Sequence, residues 1–329
     1  MGPPWPRVVR AALAAVLLAG AATGCSDGEE PAAPAPVQKQ GPGRWVQRAP
    51  IPTPRSEVAV AVLDGKVHVL GGFGGFRGRT RAHEAYDPAT DRWRTLAELP
   101  RPLNHAGAAV AGRKLYVLGG YDTASGKAVA DVSAYDPAAD AWVPRAPMPT
   151  ARGALGVTQV GGLIYAVGGT GEGGDLAANE VYDPAADTWR TLAPLPTPRD
   201  HLGVAALGGR VHVVAGRLRT PANNIGVHEV YDPPTDRWTT AAPLPTPRSG
   251  VAAVVAGGVL FVLGGESDKG TFAENEGFDP RSGRWRAFEG MPTPRHGIGA
   301  AEVDGVVYVP SGGPTPGASR TDRHEAFIP

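Results

Sequence analysis

Past residue 25 the chain contains no cysteine. Disulfides, thiolate metal ligands and cysteine nucleophiles are therefore excluded from everything downstream. Lysine is nearly as scarce, confined to positions 39, 66, 114, 127 and 269, so the 32 basic residues are mostly arginine. With 32 acidic residues against them the net charge is zero, and no global field draws this protein to nucleic acid or anionic lipid. The apolar stretch from Ala11 to Ala22 is too short to span a bilayer as a stable helix. No glycine-rich phosphate loop and no G-x-S-x-G elbow occurs.

What is present is repetition. Trp45, Trp93, Trp142, Trp189, Trp238 and Trp285 follow one another at intervals of 48, 49, 47, 49 and 47 residues. A glycine doublet keeps the same beat at Gly71-Gly72, Gly119-Gly120, Gly168-Gly169 and Gly264-Gly265. The fourth unit has Ala215-Gly216, and the sixth reads as Gly312-Gly313, shifted by one residue. An aromatic stands seven residues before five of the tryptophans, at Tyr86, Tyr135, Tyr182, Tyr231 and Phe278. A period near 48 residues with these marks in fixed order points to a propeller or solenoid array.

The first residues stand apart from that array. Arg7 and Arg10 precede the apolar run, and Ala22-Thr23-Gly24-Cys25 places small residues directly before the single cysteine. This arrangement resembles a bacterial lipobox, departing from it at Ala22, where leucine is usual. The resemblance implies a signal peptide over 1–24, cleavage before Cys25 and lipidation of its thiol; ordinary secretion is the alternative. Residues 25–43 carry the cysteine and a Pro- and Ala-rich segment with no apolar periodicity, which reads as an extended stalk. The expected location is extracytoplasmic, in the bacterial cell envelope, with membrane contact only through the lipid.

Within the third unit, 153–159 and 164–167 are short apolar runs joined by Gly161-Gly162, the signature of a hairpin. Gly168-Gly169 closes the second run, 179–182 alternates as a third strand, Asp183-Pro184 turns the chain, and Trp189 begins a fourth strand. Four antiparallel strands per unit make a propeller blade, with Tyr182 and Trp189 packed across the outer hairpin. The chain's last residues, His324 to Phe327, match a third strand, and Arg44-Trp45-Val46 match a fourth. Pairing them completes the sixth blade and leaves no open edge, which a solenoid would have to cap. The expected fold is all-β: a six-bladed propeller over 44–329, closed by its N-terminal strand.

The doublet after the second strand, the Y-D-P-x-x-D-x-W turn and the L-P-T-P-R link resemble Kelch repeats over essentially all of 44–329. That family implies a β-propeller and no particular activity. Some secreted bacterial members are sialic acid mutarotases, which use acidic and basic groups at the propeller axis. The related copper radical oxidases need a tyrosine cross-linked to cysteine, which this propeller lacks.

A residue type that recurs at one register is architectural. The tryptophans and their aromatic partners are thus core, and Glu84, Glu180, Glu229, Glu276 and Glu325 read as strand-end hydrogen-bonding groups. Arg55, Arg152, Arg199, Arg248 and Arg295 share the link register, with Leu103 as the exception, and read as inter-blade or loop-fixing groups. Five histidines fall into repeat positions: His83, His228 and His324 where other blades carry Asn179 and Asn275, and His68 and His212 where others carry an aromatic. His105, His201 and His296 remain, near the start of innermost strands, and Glu57 shares the register of His105 and His201.

Links into the first strand and loops after the doublet emerge on one face. The candidate ligand-binding residues are therefore Glu57, His105, His201 and His296 with residues after the doublets, among them Phe73, Tyr121, Asp122, Thr170, Arg217, Arg219, Glu266 and Pro314. Blade 4 is singled out by Ala215 and by Arg217 and Arg219 directly after it. A Glu–His–His set could hold a metal or perform acid–base work if its side chains met, but lone histidines at loop ends are ordinarily solvated. No cofactor and no metal is therefore expected. The loops between doublet and third strand are uniformly short, with no lid or catalytic insertion. These features favour a monomeric binding module for a protein or glycan at the loop face. A cofactor-independent sugar mutarotase or epimerase is the alternative, and an envelope scaffold with contacts on the blade sides is a third.

Overall fold

The computed structural model describes Gly2, 41–74 and 80–329. The leader, Cys25 and nearly all of the stalk lie outside the described residues. Six four-stranded antiparallel sheets follow one another. Blade 1 runs Ala59–Leu63, Lys66–Leu70, His83–Asp87 and Arg92–Thr95. The other blades begin at Gly107–Ala111, Gly156–Val160, Gly203–Leu207, Ala252–Ala256 and Ala301–Val303, and the first strands of neighbouring blades touch. Arg44–Gln47 lies antiparallel against His324–Ile328, as the outermost strand of blade 6.

The repeat motif is explained by what its residues pin. Each blade aromatic pairs directly with its tryptophan, as Tyr86 with Trp93 and Phe327 with Trp45, at ring-centroid distances of 5.1 to 5.3 Å. Trp93 Nε1 donates to the Ala49 carbonyl, and Trp142, Trp189, Trp238 and Trp285 repeat that bond one blade further on each time. The aspartate of the turn adopts left-handed backbone (φ 53° at Asp91) and accepts from both the Tyr86 hydroxyl and the Ala49 amide. One side chain thus ties the outer hairpin to the incoming link.

The link arginines are fully buried, and each pairs with the glutamate of the third strand in its own blade. Arg199 Nη1 donates to Glu229 Oε2 at 2.5 Å and to the Thr197 carbonyl, while Nη2 reaches the Val213 carbonyl and Thr197 Oγ1 donates to Glu229 Oε1. Such pairs survive burial only because nearly every donor and acceptor is satisfied. Blade 2 has Leu103 and Ser133 at the two positions, so the charges are lost together. Between blades, the arginine's carbonyl accepts from the second glycine of the preceding doublet: Gly216 N donates to Arg248 O, and Gly312 N to Arg55 O.

One register is corrected by the structure. In blade 6 the doublet is Ser311-Gly312, with φ of 70° and 107°, matching 57° and 104° at Gly71-Gly72. The position after the doublet is accordingly Gly313, which bridges His296 as Phe73 bridges Ser56; Pro314 lies one residue beyond. Ser311 and Ala215 are the two non-glycine residues at the first doublet position, both left-handed and fully buried.

The five repeat-register histidines are buried in the blades. His68 Nδ1 lies 2.8 Å from His83 Nε2, and His212 Nδ1 lies 2.9 Å from His228 Nε2. Burial pushes His68, His212 and His228 down to about 4, and His83 and His324 down to about 3.

Candidate functional site

Two residues beyond the link position, arginine in five blades and Leu103 in blade 2, the backbone is left-handed in every blade: Glu57, His105, Ala154, His201, Gly250 and Gly297, with φ between 50° and 65°. Each N–H donates to the carbonyl of its counterpart in the preceding blade, from His105 to Glu57 round to Gly297 and Gly250, and Glu57 N donates to Gly297 O at 2.7 Å. The six bonds form a closed circle around the axis. Three of its members carry functional side chains, one is alanine and two are glycine, so the circle itself is furnished in blades 1, 2 and 4, while blades 5 and 6 reach the mouth through Glu266 and His296. Gly297 has to be bare, because a Cβ there would stand 2.5 Å from Glu57 Oε1.

The furnished side chains meet. His105 Nε2 lies 3.2 Å from Glu57 Oε2, and the His105 and His201 rings pack edge to face at 4.9 Å between centroids. One ligand atom from each of Glu57, His105 and His201 lies within 4.8 Å of the others. Asn104 Oδ1 stands 2.8 Å from His105 Nδ1, and Asp200 Oδ1 stands 2.5 Å from His201 Nδ1. The loop after the blade 4 doublet brings in Arg217, which donates through Nε to Asp200 at 2.8 Å and through Nη1 to Glu266 at 3.0 Å. Its Nη2 lies 3.2 Å from His201 Nε2. Since guanidinium has only donors, that imidazole nitrogen presents its lone pair.

His296 completes the circuit. Its Nδ1 lies 3.3 Å from Glu57 and 3.4 Å from Glu266, while Nε2 lies 3.1 Å from the Thr315 carbonyl. Oxygens lie near both nitrogens, although Nδ1 makes no hydrogen bond in this geometry, and the two carboxylates favour the charged ring. Burial opposes that charge, but Glu57, then Glu266 and the Thr315 carbonyl, outweigh it and raise the His296 pKa. Burial likewise works against the Glu57 carboxylate, yet His105, His296 and His201 together hold its pKa far below the usual range. His105 goes the other way: burial, aided by His201 and Arg217, pushes it down to about 4 against the pull of Glu57. Asp200 is held low by His201 and Arg217 despite burial, and Asp175, partly buried and hydrogen-bonded to Asp200, rises to about 6.

These groups surround a cavity of about 470 Å³ at the axis mouth. Of the sequence candidates, Glu57, His105, His201, Arg217, Glu266, His296 and Phe73 line it. Tyr121 stands just outside, edge-on to His105 at 5.5 Å, and lines a separate groove of about 610 Å³ with Lys127 and Glu172. Arg219 is exposed and does not line the cavity; neither do Asp122, Thr170 and Pro314. The sequence reading missed Asn104, Asp200 and Asp268, and the walls formed by Pro221 and by 316–318. Asp200 could have been found: it follows the link arginine, and at its register Ser56, Asn104, Gly153, Ser249 and His296 stand in the other blades, so it is the one carboxylate there.

Fold and site together define a six-bladed β-propeller with a polar, charge-paired cavity at the mouth of its axis. The family model of the KLHDC2/KLHL20/DRC7 Kelch-repeats domain matches residues 43–216, and that of the Kelch motif matches 247–292. The chain belongs to the Kelch-repeat family. It is similar to the solved structure titled "Structure of YjhT", with a TM-score of 0.74 and 18% identity over 84% of this chain and 95% of that one, a likeness of fold alone. Comparison with curated protein sequences finds no match.

Proposed function

We propose that the protein is an extracytoplasmic, lipid-anchored binding module that seats part of a glycan in its axial mouth. The observation that carries this is the convergence of Glu57, His105, His201, Arg217, Glu266 and His296 on one cavity of about 470 Å³. That volume falls within the roughly 300–1,000 Å³ of small-molecule sites. Three of the five N–H donors of Arg217 are engaged by Asp200, Glu266 and His201, so the mouth presents both guanidinium donors and carboxylate acceptors, a mixture that suits sugar hydroxyls. Phe73, Pro221 and Pro316 supply apolar wall for a ring face. The anchor rests on the lipobox-like Ala22-Thr23-Gly24-Cys25 and the stalk behind it.

Thermal unfolding against a panel of sugars and cell-wall fragments tests the site. A ligand at about 100 times its Kd adds roughly 2.7 kcal/mol of stability. Glu57→Ala combined with His201→Ala abolishes that shift while the ring still unfolds cooperatively; a ligand that binds the double variant unchanged does not sit at the mouth. For the anchor, Cys25→Ser releases the protein from the membrane fraction, and retention there would refute lipidation.

A second reading, a sugar mutarotase or epimerase of the sialic acid mutarotase type, is favoured by the opposite pKa shifts of His105 and His296. The His105 pKa is lowered and the His296 pKa raised on either side of Glu57, the pattern of divided acid–base roles. Anomer exchange followed by NMR decides it, with loss on His105→Ala expected.

A further inference from the structure

We infer that Glu57, His105 and His201 form a site for one divalent transition-metal ion, of which Zn²⁺ is the type. The inference concerns a metal and is independent of whether the mouth binds sugar. Two imidazoles and one carboxylate, leaving an open position, are a recurrent donor set of catalytic zinc centres. Here they come from three blades, yet one donor atom of each lies within 4.8 Å of the others. The His105 Nε2 to Glu57 Oε2 separation of 3.2 Å matches the edge, about 3.3 Å, of a tetrahedron with metal–ligand bonds near 2.0 Å. The backbone circle holds all three in the same left-handed conformation, so their Cβ atoms share a level on the axis.

The surrounding shell is the stronger argument. Metal-bound histidines characteristically donate their other ring N–H to a carboxylate or carbonyl oxygen, which fixes tautomer and orientation. His201 Nδ1 has Asp200 Oδ1 at 2.5 Å and His105 Nδ1 has Asn104 Oδ1 at 2.8 Å, each supplied by the preceding residue. His105 Nε2 is thereby aimed at Glu57, and His201 Nε2 at Arg217 beside the cavity. At this register Ser56, Gly153 and Ser249 stand in three blades and His296 in blade 6, so a hydrogen-bonding oxygen directly before a histidine occurs in the two blades that carry His105 and His201. The lone pair of His201 Nε2 is met by a cation, the Arg217 guanidinium at 3.2 Å. A metal ion would replace that one contact and leave the Asp200 and Glu266 contacts of Arg217 in place. The fourth position then faces the 470 Å³ cavity, open to water or to an oxygen ligand.

Titration calorimetry with Zn²⁺, and visible spectroscopy with Co²⁺, test this on protein carrying Cys25→Ser so that the lone thiol does not compete. One ion per chain is expected, with the intense visible bands of four-coordinate Co²⁺. His201→Ala and His105→Ala each abolish those bands, and Asp200→Asn weakens Zn²⁺ about 10–100-fold. Arg217→Gln moves the other way and tightens Zn²⁺, since it removes the competing cation; a purely structural role for Arg217 would weaken it. Absence of Zn²⁺ binding to the folded protein, or equal binding by His105→Ala and His201→Ala, overturns the site whatever the sugar panel shows.

Discussion

Blade 4 contains two buried or half-buried arginines that bind carboxylates, and they differ in kind. Arg199 is sealed inside the blade against Glu229, and four other blades repeat the pair at the same register. Arg217 binds Asp200 and Glu266 at similar distances, but no other blade has an arginine there, and its guanidinium borders the axial cavity. The local chemistry is nearly the same in both places. What separates them is repetition and access: an ion pair copied around the ring holds each blade together, while one made once, with a neighbour's glutamate, shapes a surface. Blade 2 sharpens the contrast, since Leu103 and Ser133 show that the repeated pair can be deleted whole.

The largest effect is expected where the sealed pair is cut in half. Arg199→Ala leaves Glu229 buried without its cation and costs about 3–5 kcal/mol in urea unfolding. Making both blade 2 substitutions, Arg199→Leu with Glu229→Ser, costs less than about 2 kcal/mol, well below the sum of the single changes. Additive losses would show that the two side chains do not act as a pair. Arg217→Gln, by contrast, costs less than half as much as Arg199→Ala and acts on ligand and metal affinity.

A second contrast lies between blades with histidine and those with asparagine at the same place. His83 and His228 approach a carbonyl that Asn179 reaches as a donor in blade 3, at 2.9 Å from the Ala193 oxygen. Burial holds the five blade histidines at about 3 to 4, below the roughly 6.5 of an unfolded chain. The unfolded state therefore takes up protons first: the contribution of these five histidines to stability is full above pH 6.5 and falls as pH drops from there toward 3. Installing the blade 3 residues in blade 1, His68→Tyr with His83→Asn, flattens that acid limb in a series of Tm measurements. An unchanged limb would assign the acid loss to other groups.

The smallest effect belongs to the doublet. Ala215 adopts φ 62° where four blades have glycine, so Ala215→Gly relieves backbone strain and gains about 0.5 kcal/mol. A loss instead would show that the buried methyl, packed beside Val214 and Val251, outweighs the strain.

Much of the site was legible because the repeat supplies its own internal comparison. Register, with the chain direction that puts links and post-doublet loops on one face, set Glu57, His105, His201, His296, Arg217 and Glu266 apart, and all six line the cavity. Arg219 stood out by the same test and is exposed, because two residues past a strand end the side chain's direction depends on the loop, not on the repeat. Asp200 and Asn104 were overlooked because each matters only through the histidine beside it. The blade 6 doublet was misread because serine took the left-handed position that glycine marks elsewhere.

The sequence by itself determined the six-unit periodicity, the four-strand blade and the core, since strand alternation, turn residues and aromatic spacing are local or repeat-wide properties. Whether Glu57, His105 and His201 touch was decided only by the tertiary structure. They stand 48 and 96 residues apart, on separate blades, and no local rule brings them together. Their meeting depends on the diameter of the ring and on six left-handed residues joined by a circle of hydrogen bonds at its axis.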